Sequence, residues 1–263
     1  MQIEEKVVVV TGGGHGIGAA MCRQFAAEGA DRVIVSDINE DAAAAVAEEI
    51  GGIANTCDVS SERDVQALVQ QTIQQCGRID ILCSNAGITT KGGIETPDDD
   101  WQWLWDVNVM SRVYAARAVI PHMLNRGSGC IVHTASGAGL LTEIGSAAYS
   151  VTKHADVAFA EWLAVRYGRE GIEVSCVCPL GVATDFLDHD DPIHQFLHAT
   201  SVLPEDVAHC VIDGIRGQRF MILPHPEVEE FFAWKTQDYD KWISGMQRMR
   251  QKLTRAKKKK KAA

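Results

Sequence analysis

Continuous β-branched runs and stretches of helical periodicity alternate along the first 223 residues of the chain. Lys6-Val7-Val8-Val9-Val10 is apolar at every position after the lysine, the pattern of a strand covered on both faces. Arg32 to Ser36, Gly52 to Cys57, Ile79 to Ser84, Gly129 to Ser136, Glu173 to Cys178 and Phe220 to Leu223 read as further strands. Helical spacing fills the intervals, as in Ala19 to Glu28, Ser61 to Cys76, Gly145 to Val165 and Pro204 to Arg216. Strict alternation of this kind predicts an α/β fold: one doubly wound domain, a seven-stranded parallel sheet with helices on both faces, joined by right-handed crossovers.

Past the seventh strand, Pro224-His225-Pro226 leads into a helical stretch from Glu227 to Met249 that carries Phe231, Phe232, Trp234 and Trp242. An apolar face of that size must be covered, by the lid, the body or a neighbouring subunit. The expected division is residues 1–223 as the domain, 224–250 as a helical extension and 251–263 as a disordered Lys-rich tail.

Charge sharpens that division. The formal net charge is −10, but Met246 to Ala263 holds nine Lys and Arg and no acid, which leaves 16 basic against 35 acidic residues in the body, a net of −19. Such a body repels nucleic acid and anionic membranes, so neither is an expected partner. No run approaches a membrane span and the amino terminus leads straight into a strand, which predicts a soluble, untargeted, cytoplasmic protein. The eight cysteines are scattered without a Cys-x-x-Cys pair, as expected of reduced thiols.

Candidate chemistry gathers at the ends of the strands. Thr11-Gly12-Gly13-Gly14-His15-Gly16-Ile17-Gly18 lies between a strand and a helix, where glycines let a pyrophosphate approach and the helix start offers free N–H groups. Asp37 ends the second strand and has two readings: acceptor for both ribose hydroxyls of NAD, or cap of the helix that follows Ile38. Asp58-Val59 and Asn85-Ala86-Gly87 follow the third and fourth strands, beside the cleft such sheets place at their carboxyl ends. Thr96-Pro97-Asp98 predicts a helix capped by the threonine hydroxyl, in which Trp101, Trp103 and Trp105 read as core or subunit contact. Asn108 is polar amid an apolar face, either a satisfied buried amide or the holder of a water.

Tyr149 and Lys153 stand four apart and share a helical face. A nearby ammonium favours the phenolate and would make Tyr149 a usable proton acceptor or donor; the bland alternative is a Tyr and a Lys solvating an exposed helix. Ser136 ends the fifth strand, where its hydroxyl could meet a substrate oxygen.

With these residues assembled, the chain resembles the classical short-chain dehydrogenase/reductase family, NAD-preferring, over about Lys6 to Leu223. The resemblance rests on the glycine turn, Asp37, Asp58-Val59, Asn85-Ala-Gly87, Asn108, Ser136 and Tyr149-x-x-x-Lys153, in family order. It implies a Rossmann-type domain that moves a hydride between NAD(H) and a hydrophobic secondary alcohol or ketone. Asn108, Ser136, Tyr149 and Lys153 would form the catalytic set: Tyr149 the acid/base, Ser136 the donor to the substrate oxygen, Lys153 the holder of the nicotinamide ribose, Asn108 the holder of a relay water. The implied cofactor contacts are Gly12, His15, Gly16, Ile17, Gly18, Asp37, Ile38, Asp58, Val59, Asn85, Ala86, Gly87, Tyr149, Lys153, Pro179, Val182 and Thr184. Leu180 departs from the family, which usually has Gly after this proline. Residues 185–201 would be the substrate lid, with Ser136, Leu140, Phe186 and Leu187 against the substrate. His194 and His198 in that lid have metal-ligand spacing, but hydride transfer by this set needs no metal and none is expected. Family members are dimers or tetramers, so a homodimer or homotetramer is expected. The competing reading is an NAD-binding regulator or scaffold that uses its basic tail on a partner.

Overall fold

Val7 to Thr11 is buried at every position and forms an interior strand of the sheet, where β-branched side chains can pack on both faces. In the computed structural model, residues 1–184, 186 and 201–261 are described, with side chains described as far as residue 254. The strands are β1 (Val7–Thr11), β2 (Arg32–Asp37), β3 (Ile53–Thr56), β4 (Ile81–Ser84), β5 (Gly129–Thr134), β6 (Ile172–Val177) and β7 (Met221–Ile222). Every pairing is parallel, in the order β3-β2-β1-β4-β5-β6-β7. The order reverses between β1 and β4, which opens a crevice beyond their carboxyl ends.

The helices are α1 (Gly16–Ala27), α2 (Glu40–Ile50), α3 (Glu62–Cys76), α4 (Asp98–Trp105), α5 (Ser111–Arg126), α6 (Ala138–Leu141), α7 (Ala147–Tyr167), α8 (Pro204–Arg216), α9 (Glu227–Gln237) and α10 (Tyr239–Lys261). One apolar layer joins Phe25 of α1, Val46 of α2 and Val211 of α8 to one face of the sheet. The opposite layer joins Leu68 of α3, Val119 of α5 and Leu163 of α7 to the other face, together with Val228 and Trp242 from beyond β7.

Two local expectations change. Thr96 does not cap α4: the helix starts at Asp98 with Pro97 ahead of it, and three acids in the first turn meet the orphan N–H groups instead. The stretch after Pro226 is two helices broken at Asp238, whose Oδ1 accepts from Lys241 N at 3.0 Å and so starts α10. Helix α10 runs on to Lys261. No Gly or Pro interrupts it after Gly245, and lysines near a helix carboxyl end are favoured by the macrodipole.

Candidate active site

The turn after β1 is shaped by backbone that side chains would obstruct. Gly12 has φ +65°, and a Cβ there would lie 2.9 Å from Ala86 Cα. A Cβ on Gly18 would lie 1.9 Å from the Gly12 carbonyl oxygen, so this glycine lets α1 sit directly on the turn and faces inward, away from the cavity. The Thr11 hydroxyl donates to Cys83 O at 3.3 Å and accepts from Asn85 N at 3.0 Å, while Asn85 Nδ2 donates to Thr11 O at 3.0 Å. These bonds fix the chain after β4 against the turn after β1.

Asp37 ends β2 with Oδ2 accepting from Gly14 N at 2.9 Å and Oδ1 from Asn39 N at 3.0 Å. Asn39 and not Asp37 is the cap of α2, accepting from Ala42 N at 3.1 Å, and Asp37 lines the cavity. Each Asp37 oxygen keeps a free lone pair for a further donor. Asp58 Oδ1 accepts from Ser60 N at 2.9 Å and Ser60 Oγ at 2.7 Å.

A cavity of about 1150 Å³ runs from this turn across the carboxyl ends of the strands. Of the residues expected at a cofactor, Gly12, His15, Gly16, Ile17, Asp37, Ile38, Asp58, Val59, Asn85, Ala86, Gly87, Tyr149, Lys153, Pro179, Val182 and Thr184 all line it. Ser136 and Phe186 line it as well. Leu140 does not: it is buried in the core, and its neighbour Leu141 faces the cavity instead, since α6 turns the two leucines to different sides. Leu187, His194 and His198 lie outside the described residues, and among the described residues no group of His, Cys, Asp and Glu could hold a metal ion.

Helix α7 is capped by Ser146, whose Oγ accepts from Tyr149 N at 3.1 Å, and the cap aims the first turn at the cavity. Lys153 Nζ donates to Thr134 O at 2.9 Å and lies 5.7 Å from the Tyr149 ring centroid. The Ser136 hydroxyl accepts from Ala138 N at 3.0 Å and bonds the Tyr149 side chain. Phe186 tilts against the Tyr149 ring, centroids 5.8 Å apart.

The expected acidification of Tyr149 is not what this arrangement gives. Burial raises the phenol well above its ordinary value, and the hydrogen bond from Ser136 recovers part of the rise. Burial likewise pushes Lys153 down to about 8, against a pull upward from Asp156.

Asn108 is held at both ends of its amide by the Ile88 peptide. It lies in a π-helical turn, Asp106–Met110, and is wholly buried behind the cavity wall. Its Oδ1 accepts from Ile88 N at 2.9 Å, and its Nδ2 donates to Ile88 O at 2.9 Å and Thr152 Oγ1 at 3.2 Å. The side chain braces the loop after β4 against α7.

Leu180, the family departure, is accommodated by two partners. Its side chain packs over Gly137, where a Cβ would come within 2.6 Å of Leu180 Cδ2. His225 holds the backbone: Nδ1 accepts from Leu180 N at 3.1 Å and Nε2 donates to Gly181 O at 3.0 Å. Burial lowers the His225 pKa, in keeping with a ring that must stay neutral to accept at Nδ1.

Several cavity residues escaped the sequence reading. Trp103, half exposed, lines the cavity, and Phe231, Trp234, Trp242, Met246 and Met249 of the extension line it as well. Lys235 of α9 is buried and donates to Leu140 O at 2.5 Å, which clamps the extension onto α6. Asp156 had a legible signal: it lies three residues after Lys153 and seven after Tyr149, on the same helical face.

Comparison with known proteins agrees with this geometry. A family described as short chain dehydrogenase matches residues 6–192. Meso-2,3-butanediol dehydrogenase of Serratia marcescens is 36% identical over 189 residues, covering 70% of this chain and 74% of that protein. 1-Deoxy-11-beta-hydroxypentalenate dehydrogenase of Streptomyces exfoliatus is 34% identical, covering 86% of each. A short chain dehydrogenase/reductase from Burkholderia phymatum, solved in complex with NAD, superposes with a TM-score of 0.84 at 28% identity, covering 91% of this chain and 96% of that one.

Proposed function

Because this chain belongs to the short chain dehydrogenase family, we propose that it is an NAD-dependent oxidoreductase in which Tyr149 exchanges a proton with a hydrophobic secondary alcohol or its ketone. The observation that carries the reading is convergence: Ser136, Tyr149 and Lys153 face the same cavity as the glycine turn and Asp37. The residues fit a dinucleotide without a 2′-phosphate. The His15 side chain makes no cap bond at the start of α1, which leaves N–H groups for a pyrophosphate, and Asp37 stands where ribose hydroxyls would donate. Among the described lining residues Lys153 is the sole Lys or Arg, so nothing at the Asp37 end answers a phosphate dianion.

Bound there, NAD supplies the hydride acceptor or donor. Ser136 holds the substrate oxygen, and Tyr149 takes the hydroxyl proton in oxidation or returns it in reduction. Lys153 holds the nicotinamide ribose and places positive charge beside the phenolate as it forms. The apolar wall of Leu141, Phe186, Phe231, Trp234 and Met246 excludes water and favours a substrate with a bulky apolar body.

Purified protein given NAD⁺ and a panel of apolar secondary alcohols should produce NADH. Tyr149→Phe should lower the rate by about a hundredfold or more, the usual share of acid–base catalysis, while NAD⁺ affinity by calorimetry stays unchanged. Undiminished turnover in that variant removes Tyr149 from the reaction.

A further inference from the structure

Behind the wall that carries Tyr149 and Lys153 lies a set of buried charges to which the proposed reaction assigns no task. Asp156, wholly enclosed, has Oδ2 3.7 Å from Lys153 Nζ and 3.3 Å from Arg112 Nε, and Oδ1 2.8 Å from His133 Nδ1. Arg112 Nη1 donates to Ala86 O at 2.6 Å, Ser111 Oγ at 2.8 Å and Val107 O at 3.1 Å, so the cluster ties the loop after β4 to α7. His133 Nδ1 faces a carboxylate that can only accept, so it donates to Asp156, while Nε2 and Arg112 Nη2 are left without partners among the described residues.

The cluster therefore holds two cations, Arg112 and Lys153, around one carboxylate. Ionising Tyr149 brings the sum to zero. A buried surplus of positive charge can also be relieved the wrong way, by Lys153 losing its proton while the phenol keeps its own. Asp156 opposes that outcome, because it meets the ammonium directly while the phenol sits two helical turns away.

We propose that Asp156 is a positioning residue that biases the proton shared by Tyr149 and Lys153 toward the lysine, opposing the burial that would strip it, so that the phenol can serve as base. This rests on the reading of Tyr149 and Lys153 given above. The groups facing the pair are few. Lys153 is met by Asp156 on α7, Arg112 on α5, Cys176 on β6 and Cys178 just after it, and the Thr134 carbonyl on β5. Tyr149 is met by Ser136, Glu143, Asp156 and Arg112. Burial pushes Lys153 down and Arg112 adds to the fall, while Asp156 raises it; Asp156 itself is held at about 2, since burial, which would raise it, is outweighed by Arg112, His133 and Lys153.

The test is the pH profile of kcat/KM for oxidation in Asp156→Asn, with NAD⁺ affinity measured by calorimetry across the same pH range. Removing the anion makes the first proton of the pair easier to lose, so the acid limb should move to lower pH. The plateau should fall by about tenfold, the equivalent of about one pKa unit of lost bias toward the ammonium. The inflection of NAD⁺ affinity that follows Lys153 should move down with it. Arg112→Met combined with Asp156→Asn removes both members of the ion pair, which buried pairs tolerate better than loss of one. It should move the limb in the same direction by less. A limb that stays in place in a folded variant, whether the plateau holds or falls, overturns the proposal. Tyr149→Phe run in parallel separates the two claims: its full activity would defeat the acid–base reading, whereas its inactivity beside an unmoved Asp156→Asn limb would defeat this proposal alone.

Discussion

Trp242 joins the extension to the body, and Trp242→Ala measures how firmly. The indole is 6% exposed, stands edge-on to Trp234 with centroids 5.4 Å apart, and shares a core with Leu140, Leu141 and Val228. An indole buries about 200 Å², which at about 25 cal/mol per Å² corresponds to about 5 kcal/mol. An extended reference chain overstates that burial, and partial collapse around the gap lowers the loss further, so about 3 to 4 kcal/mol is expected. The loss should fall first on α9 and α10, which meet the body through this contact and the Lys235 clamp. Urea unfolding by circular dichroism should report the drop, and hydrogen exchange should report faster opening of residues 227–250 than of β1 or β5. Since Trp242 also lines the cavity, KM for a bulky apolar alcohol should rise while KM for NAD⁺ holds. A loss under about 1 kcal/mol, the scale of a surface substitution, with unchanged exchange would show that the extension does not depend on this residue.

Two further outcomes follow from contacts described above. Gly18→Ala should cripple NAD⁺ binding and destabilise the fold together, because its Cβ would fall 1.9 Å from the Gly12 carbonyl oxygen; a variant that binds NAD⁺ normally by calorimetry would refute the close packing of α1 on the turn. Asp156 should make stability depend on acid: its carboxyl is held at about 2 against an ordinary 3.8, so about 2 kcal/mol is present above pH 4 and lost as pH falls toward 2. Urea midpoints between pH 5 and 2.5 should fall less steeply in Asp156→Asn than in the parent protein, and parallel curves would contradict the charge assignment.

The sheet was legible because its strands are nearly uninterrupted β-branched runs, and Val7 to Val10 could be little else. The glycine turn and the Tyr149 and Lys153 spacing were legible for the same reason: both are local patterns whose geometry is set by a few consecutive residues. What escaped was set by distant partners. Asn108 reads as a polar residue near a site, but its hydrogen bonds run to the Ile88 peptide and Thr152, far away in the chain. Leu180 reads as a defect until His225 is found holding its backbone from 45 residues away. Leu140 and Leu141 are indistinguishable by type, and the choice between core and cavity falls to the orientation of the short helix α6. The expected acid phenol failed because spacing on a helix says nothing of burial, which raises Tyr149 more than its neighbours lower it.

The π-helical turn at Asp106–Met110 has a bearing on how this segment tolerates change. It accommodates one residue more than an α-helix would, and at 3.6 residues per turn that surplus rotates everything upstream by about 100°. Trp103 reaches the cavity ahead of the irregularity and Val107 from within it, while Arg112 beyond it grips Asp156. Excising a single residue here would yield a straighter rod with more regular backbone bonding, yet it would swing the tryptophan off the substrate wall. Length in this segment is thus tied to pocket shape, and a deletion of one residue does more harm there than most side-chain exchanges.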